Sequence, residues 1–143
     1  MTTADERLAA GLAAEHAAVF AYGTVGAYLP APLVDGARQA EAEHRRRRDA
    51  LLLSASNKSQ NPAPAEPAYA LPFPVVDQAT AVRLAVQVEE RTAAVWRAAL
   101  PDTTGEHRKF ALDALVDAAQ RAARWRRAGG ANPGTVALPG APA

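Results

Sequence analysis

The stretch "NKSQNPAPAEPAYALPFPVV", residues 57–76, decides the fold because five of its residues are prolines. Proline lacks a backbone N–H and its ring clashes with the preceding helical turn, so this segment cannot be an α-helix. An extended proline-rich chain of roughly 20 residues reaches about 60 Å. A helix of roughly 24 residues is only about 36 Å long. The segment can therefore run the length of a helical bundle and start the next helix parallel to the previous one.

Two helices are predicted before this segment. The first begins with a capping box over Thr3–Glu6 and continues to the break at residues 30–32, Pro-Ala-Pro. The second runs from about Leu33 to Ser56. Only a few residues join the two helices, so we expect them to form an antiparallel hairpin.

Two more helices are predicted after it. Asp77 caps a third helix that runs to Leu100, just before a proline. The fourth begins near Thr103, where Thr103-x-x-Glu106 is another capping box, and ends at the glycine pair 129–130. These two helices are also expected to form an antiparallel hairpin.

The predicted fold is an all-α four-helix bundle with one long proline-rich crossover between its second and third helices. That connection is typical of the ferritin-like arrangement. We expect residues 1–130 to form the bundle and residues 131–143 to be an irregular C-terminal tail.

Composition excludes several classes of protein. The chain of 143 residues has no cysteine, which excludes disulfides, thiolate metal cages and a cysteine nucleophile. The N-terminal stretch "MTTADERL" has neither a basic region nor a long apolar run, so neither a signal peptide nor a membrane span is expected. A net charge of +1 argues against a general polyanion binder. We expect a cytoplasmic protein.

Five stretches carry a resemblance to a known family: "EHAAVFAYG", "EHRRRRD", "AYALPFPV", "VEERTAAVWR" and "RAARWRR". In this order they resemble the small alanine-rich ferritin-like domain family of unknown function. The resemblance extends from about Leu8 to Arg127. It implies the bundle architecture and brings no established reaction.

Inward-facing acids in three helices resemble part of a di-iron carboxylate site. Such a site takes one glutamate from each of two helices and a Glu-x-x-His motif from each of the other two. The predicted first helix supplies Glu15, the second supplies Glu41 and His44, and the third supplies Glu89. These four residues are the candidate ligands for one iron, manganese or zinc ion.

The fourth helix lacks its contribution to such a site. Its only candidate is Asp117-x-x-Gln120, and a helical wheel places both residues opposite the apolar stripe. A complete two-metal centre is therefore not expected, and no cofactor is assigned.

A metal-free network is the competing interpretation. Arg48 follows His44 by one turn on the predicted inward face, where its guanidinium could neutralise a carboxylate. Buried glutamates need some compensating cation or proton. The favoured interpretation is a buried polar network of Glu15, Glu41, His44, Arg48 and Glu89.

Three classes of function remain open. The leading one is a non-catalytic binding or interaction protein. The alternative is a metal-binding protein or oxidoreductase that holds one ion with Glu15, Glu41, His44 and Glu89. Nucleic-acid binding is least favoured, because the consecutive arginines at 45–48 point in different directions around a helix and acids surround them.

The third helix also predicts how the chain could assemble. Its apolar arc is wider than the roughly 100° stripe that packing into one bundle requires. Either a second copy of the chain covers the excess in a homodimer, or the crossover does. In the second case Tyr69, Leu71 and Phe73 would lie over Leu84, Val88 and Val95. The homodimer is slightly favoured.

Overall fold

A computed structural model describes residues 2–142. Its four helices are α1 (Thr3–Ala27), α2 (Ala31–Asn57), α3 (Gln78–Ala99) and α4 (Gly105–Ala128). The described residues contain no strand, so the predicted all-α fold is confirmed.

The hydrogen bonds between α1 and α3 fix the helix directions. Tyr22 of α1 bonds Glu89 of α3, whereas the earlier Glu15 bonds the later Trp96. These two helices are therefore antiparallel. Since the short turn after α1 also makes α2 antiparallel to α1, α2 and α3 run parallel. The crossover, residues 58–77, joins opposite ends of the bundle, as its length predicts.

The first helix begins at Thr3, as predicted, but its capping box lies one residue earlier than predicted. The box pairs Thr2 with Asp5, not Thr3 with Glu6. The Thr2 hydroxyl accepts from the Asp5 backbone N–H at 3.1 Å, and the Asp5 carboxylate accepts from the Thr2 backbone N–H at 3.0 Å. Two adjacent threonines offered both registers, and an aspartate closes the box as a glutamate would.

The starts of α2 and α4 also differ from the prediction. Helix α2 begins at Ala31, because Pro32 is compatible with the first turn of a helix. The cap of α4 is Thr104, which makes no side-chain capping bond. Thr103 is buried, and its hydroxyl donates to the carbonyl of Ala99 at 2.8 Å. Thr103 therefore closes the end of α3 and does not start α4.

The core consists of two apolar clusters with a charged layer between them. One cluster contains Tyr22 and Trp125, and the other contains Trp96. Along each helix, a buried polar or charged residue lies between the parts that belong to the two clusters. These residues are Glu15 in α1, His44 and Arg47 in α2, Glu89 in α3, and Arg121 in α4.

The crossover covers part of the apolar face of α3. Leu71 and Phe73 pack against the Tyr22 cluster together with Val88, and the Arg83 guanidinium lies 4.1 Å from the centre of the Phe73 ring. This contact is the cover that the sequence offered as the alternative to a second copy. The homodimer remains a prediction.

The segment after α4 turns back along α3 and α4 without regular secondary structure. A side chain at Gly134 would lie 2.6 Å from the Ala123 carbonyl oxygen, and one at Gly140 would lie 2.6 Å from the Ala93 carbonyl oxygen. Glycine therefore lets the backbone approach both helices closely. Arg126 also donates to the Gly134 carbonyl at 3.2 Å, so this segment is anchored.

Helix α1 is long and apolar enough, by length and composition, to cross a membrane. A core helix of a bundle meets the same criteria. Here α1 packs against α2 and α3, and it carries the fully buried Glu15 at its middle.

Candidate functional site

His44 is the centre of the charged layer. Its Nδ1 lies 2.5 Å from Glu15 Oε2, and its Nε2 lies 2.9 Å from Glu89 Oε1. All three side chains are fully buried. A neutral imidazole carries one N–H, whereas the imidazolium carries two. Since both ring nitrogens face a carboxylate oxygen, the geometry favours the doubly protonated form, which ties α2 to both α1 and α3.

Glu15 receives two further hydrogen bonds from buried groups. Arg47 Nε and Trp96 Nε1 each donate to Glu15 Oε1 at 2.9 Å. Burial alone would raise the pKa of Glu15, but the hydrogen bond and charge of His44, with the charge of Arg47, lower it below its ordinary value. Glu15 is therefore held as a carboxylate.

Glu89 is surrounded in a similar way on the other side of His44. The Tyr22 hydroxyl donates to Glu89 Oε1 at 2.6 Å and accepts from Trp125 Nε1 at 2.9 Å. Arg121 Nη1 lies 3.6 Å from the same carboxylate oxygen. Burial, together with the Glu89 charge, raises the pKa of Tyr22 well above its ordinary value, so the phenol remains a donor.

Asp117 connects the two arginines of the layer. Its Oδ2 accepts from Arg47 Nη1 at 2.8 Å and from Arg121 Nη1 at 2.9 Å, while Arg121 Nη2 donates to Oδ1 at 3.1 Å. The Arg121 pair with Asp117 is thus bidentate. Burial would raise the pKa of Asp117, but these two arginines lower it.

We define the buried ion network as Glu15, His44, Arg47, Glu89, Asp117 and Arg121. It contains three carboxylates and three groups that can be cations, so its charge is zero only when His44 is protonated. Burial would lower the pKa of His44, but the hydrogen bonds and charges of Glu15 and Glu89 raise it from 6.5 to about 9. Geometry and charge thus both favour an imidazolium at neutral pH.

Two residues predicted for the site lie outside the network. Glu41 accepts from Arg45 at 2.8 Å near the surface, and Arg48 pairs with Asp49 at 2.8 Å. The prediction placed both on the inward face by taking a step of three residues before His44 and a step of four after it. The observed inward face uses the other spacing, so Arg47 is buried in the position that was assigned to Arg48.

The fourth helix contributes more than its sequence suggested. Asp117 is half-buried, and Arg121 is 8% exposed, although Asp117 was predicted to point away from the apolar stripe. A usable signal exists in the inward series Ala114, Ala118, Arg121 and Trp125, whose steps of four and three include the arginine. An arginine within such an apolar series predicts a buried charge, which the overall composition does not reveal.

The donor set of the network does not fit a metal ion. Both His44 nitrogens already face carboxylates, and Glu41 does not reach the layer. Glu89 Oε2 is buried without a protein hydrogen-bond partner. A single oxygen atom is not enough to hold zinc, which normally takes four ligands in proteins. Across residues 2–142, no group of three or more His, Asp or Glu side chains is arranged to hold a metal.

Comparison with known proteins places the chain in a family. Residues 7–143 match the family described as Domain of unknown function (DUF4439). The chain belongs to the DUF4439 family. It is also 36% identical to a conserved hypothetical protein from Mycobacterium tuberculosis with a known crystal structure; the match covers 90% of this chain and 98% of that chain, with a TM-score of 0.85. No curated protein matches the chain.

Arg47 and Arg48 are a matched pair for testing the network in this DUF4439 member. Arg47→Ala leaves the buried Glu15 without one of its cations, and we expect it to lower the free energy of unfolding by about 3 kcal/mol. Arg48→Ala removes a partly exposed pair with Asp49, and its effect should stay within about 0.5 kcal/mol. Urea unfolding of both variants measures the difference. Equal losses would show that Arg47 has no special role.

The raised pKa of His44 predicts a specific pH dependence of stability. The unfolded chain releases the proton near 6.5 and the folded chain near 9, so the folded state binds more protons between these values. The free energy of unfolding should therefore fall by roughly 3 kcal/mol as pH rises through this window. Urea titrations at several pH values measure it.

His44→Gln is the control for this pH dependence. The variant cannot titrate at this position, so the difference in unfolding free energy between wild type and variant should shrink as pH rises from about 6 to about 9.5. A difference that stays constant over this range would contradict protonation of His44 in the folded protein.

Proposed function

We propose that this chain is a non-catalytic binding or interaction domain, in which a buried ion network takes the central position that a metal centre has in related bundles. The observation that carries this proposal is the double engagement of His44. Both ring nitrogens contact carboxylates inside the bundle, so neither is available to a metal or a substrate. The two arginines and the imidazolium supply the positive charge that buried carboxylates require.

We also propose that the bundle is ferritin-like. Its support is the helix order, with α2 and α3 parallel and joined by the long crossover. Bundles of that connectivity carry carboxylates from several helices at the same central level. Here Glu15, His44 and Glu89 lie at that level, and Arg47 and Arg121 lie beside them.

The burial of the network argues against chemistry on a substrate at this place. Glu15, His44 and Glu89 have no exposed surface. The network reaches a cleft between α2 and α4, where Arg47 and Asp117 form part of the lining. Those two side chains already pair with each other at 2.8 Å. Binding at the outer surface of the bundle is therefore the favoured role.

Nucleic acid is not the partner that we propose. Three of the four consecutive arginines at 45–48 pair with nearby acids: Arg45 with Glu41, Arg46 with Glu43, and Arg48 with Asp49. The fourth, Arg47, is buried. Few of these arginines are therefore free to bind the phosphates of a nucleic acid and release their counterions.

Elemental analysis of protein purified without chelators tests the proposal. We expect iron, manganese and zinc well below one ion per chain, and a melting temperature that neither chelator nor added metal changes. The competing function, one ion held by Glu15, Glu41, His44 and Glu89, predicts close to one ion per chain. It also predicts that Glu41→Ala removes the ion. That pair of results would overturn the proposal.

A further inference from the structure

A groove lies between α3, α4 and the C-terminal segment. Its volume is about 720 Å³. Half of the helix residues that line it are alanines, namely Ala93, Ala94, Ala119, Ala122 and Ala123, and the other half are Glu90, Gln120 and three arginines. Alanine leaves open space above both helices, so the groove has an apolar floor.

The C-terminal segment forms the second wall of the groove. The Arg126 bond to the Gly134 carbonyl holds one part of it, and a 3.1 Å bond from Arg97 to the Pro139 carbonyl holds another. Between these anchors Val136 and Leu138 line the groove while 47% and 64% of their surfaces remain exposed. Since Ala93, Ala122 and Ala123 are themselves buried, the apolar surface left uncovered at the groove belongs mainly to Ala94, Val136 and Leu138.

Positive charge is present at the same groove. Arg124 and Arg127 line it and are exposed. Arg126 is neutralised by Glu90, but no carboxylate in the described part of the chain forms an ion pair with either of the other two. An exposed guanidinium without an acidic partner can bind a carboxylate in a bidentate geometry.

We propose that this groove binds an anionic amphiphile, namely a linear fatty carboxylate. Its alkyl chain lies on the alanine floor between α3, α4 and the C-terminal segment, and its carboxylate pairs with Arg124 and Arg127. The apolar walls favour the alkyl chain, and the charge complementarity favours an acid over a neutral lipid. This inference rests on the proposal that the chain acts by binding, and it adds the chemical class of the ligand.

Displacement of a dansyl-labelled undecanoic acid from the full chain tests the inference. Affinity for unlabelled acids should rise by roughly fourfold for each CH₂ added from octanoate to dodecanoate, because each buried CH₂ contributes about 0.8 kcal/mol. The double variant Arg124→Ala/Arg127→Ala should weaken dodecanoate by roughly tenfold or more. Its effect on dodecanol should be small, because the alcohol has no carboxylate.

Two exposed alanines of α3 form the matched control. Ala94 lines the groove, and Ala98 does not. Ala94→Trp should fill the groove and abolish displacement, whereas Ala98→Trp should bind the probe like the wild type. Circular dichroism of both variants checks that the bundle is folded. If Ala94→Trp does not fold, the arginine double variant still decides the proposal.

Four results would overturn the inference. They are no binding of the labelled acid, unchanged dodecanoate affinity in the Arg124→Ala/Arg127→Ala variant, equal binding to the Ala94→Trp and Ala98→Trp variants, and a dimer in light scattering that Ala94→Trp dissociates. The last would identify a second copy of the chain as the occupant. The proposed metal-free function is tested separately, because elemental analysis and not probe binding decides it.

Discussion

The bridge from Glu15 through His44 to Glu89 is the interaction on which the rest of the structure depends. It joins α1, α2 and α3 at the middle of the bundle, with nitrogen–oxygen distances of 2.5 and 2.9 Å. Isolated buried carboxylates would be strongly destabilising, and breaking a buried pair leaves an uncompensated charge. A protonated His44 supplies a donor to each glutamate and the positive charge between them. Arg47 and Arg121 extend the same compensation towards α4.

The position of this network explains the layered core. Apolar clusters lie on both sides of it, one around Tyr22 and Trp125 and the other around Trp96. The ring nitrogens of both tryptophans also donate into the polar layer, directly to Glu15 or through Tyr22. Sliding one helix by a turn would separate these donors from their acceptors. We infer that the network sets the register of the helices, a role known for buried polar groups in other helical assemblies.

The sequence predicted the architecture well because its signals are local or depend only on length. Five prolines exclude a helix from the crossover, and the length of that segment allows the parallel placement of α2 and α3. Glu15, His44 and Glu89 could also be identified, since each interrupts an apolar stripe. The sequence did not determine which face of α2 points inward, because steps of three and of four residues both lie close to one helical turn. His44 followed by Arg47 or by Arg48 satisfies a single-helix pattern, and only packing against Glu15 and Asp117 distinguishes them.

The contribution of α4 was missed for a related reason. Its arginines look like surface charges in a single helix, and the pairing that buries Arg121 involves Asp117 one turn earlier and Glu89 from another helix. The groove beside the C-terminal segment depends likewise on a chain reversal that no periodicity reveals. The position of Arg121 in an apolar series was a usable signal in the sequence, but its partners Asp117 and Glu89 could be identified only from the structure.

Nitrogen-15 NMR of the ring nitrogens of His44 at neutral pH tests the central claim most directly. The network requires an imidazolium, so both nitrogens should carry a proton and both should show coupling to a bound hydrogen. His44→Gln identifies the signals by their loss. A neutral ring with one protonated nitrogen would contradict the account, because one of the two glutamate contacts would then lack its donor. A metal-bound nitrogen would contradict it as well.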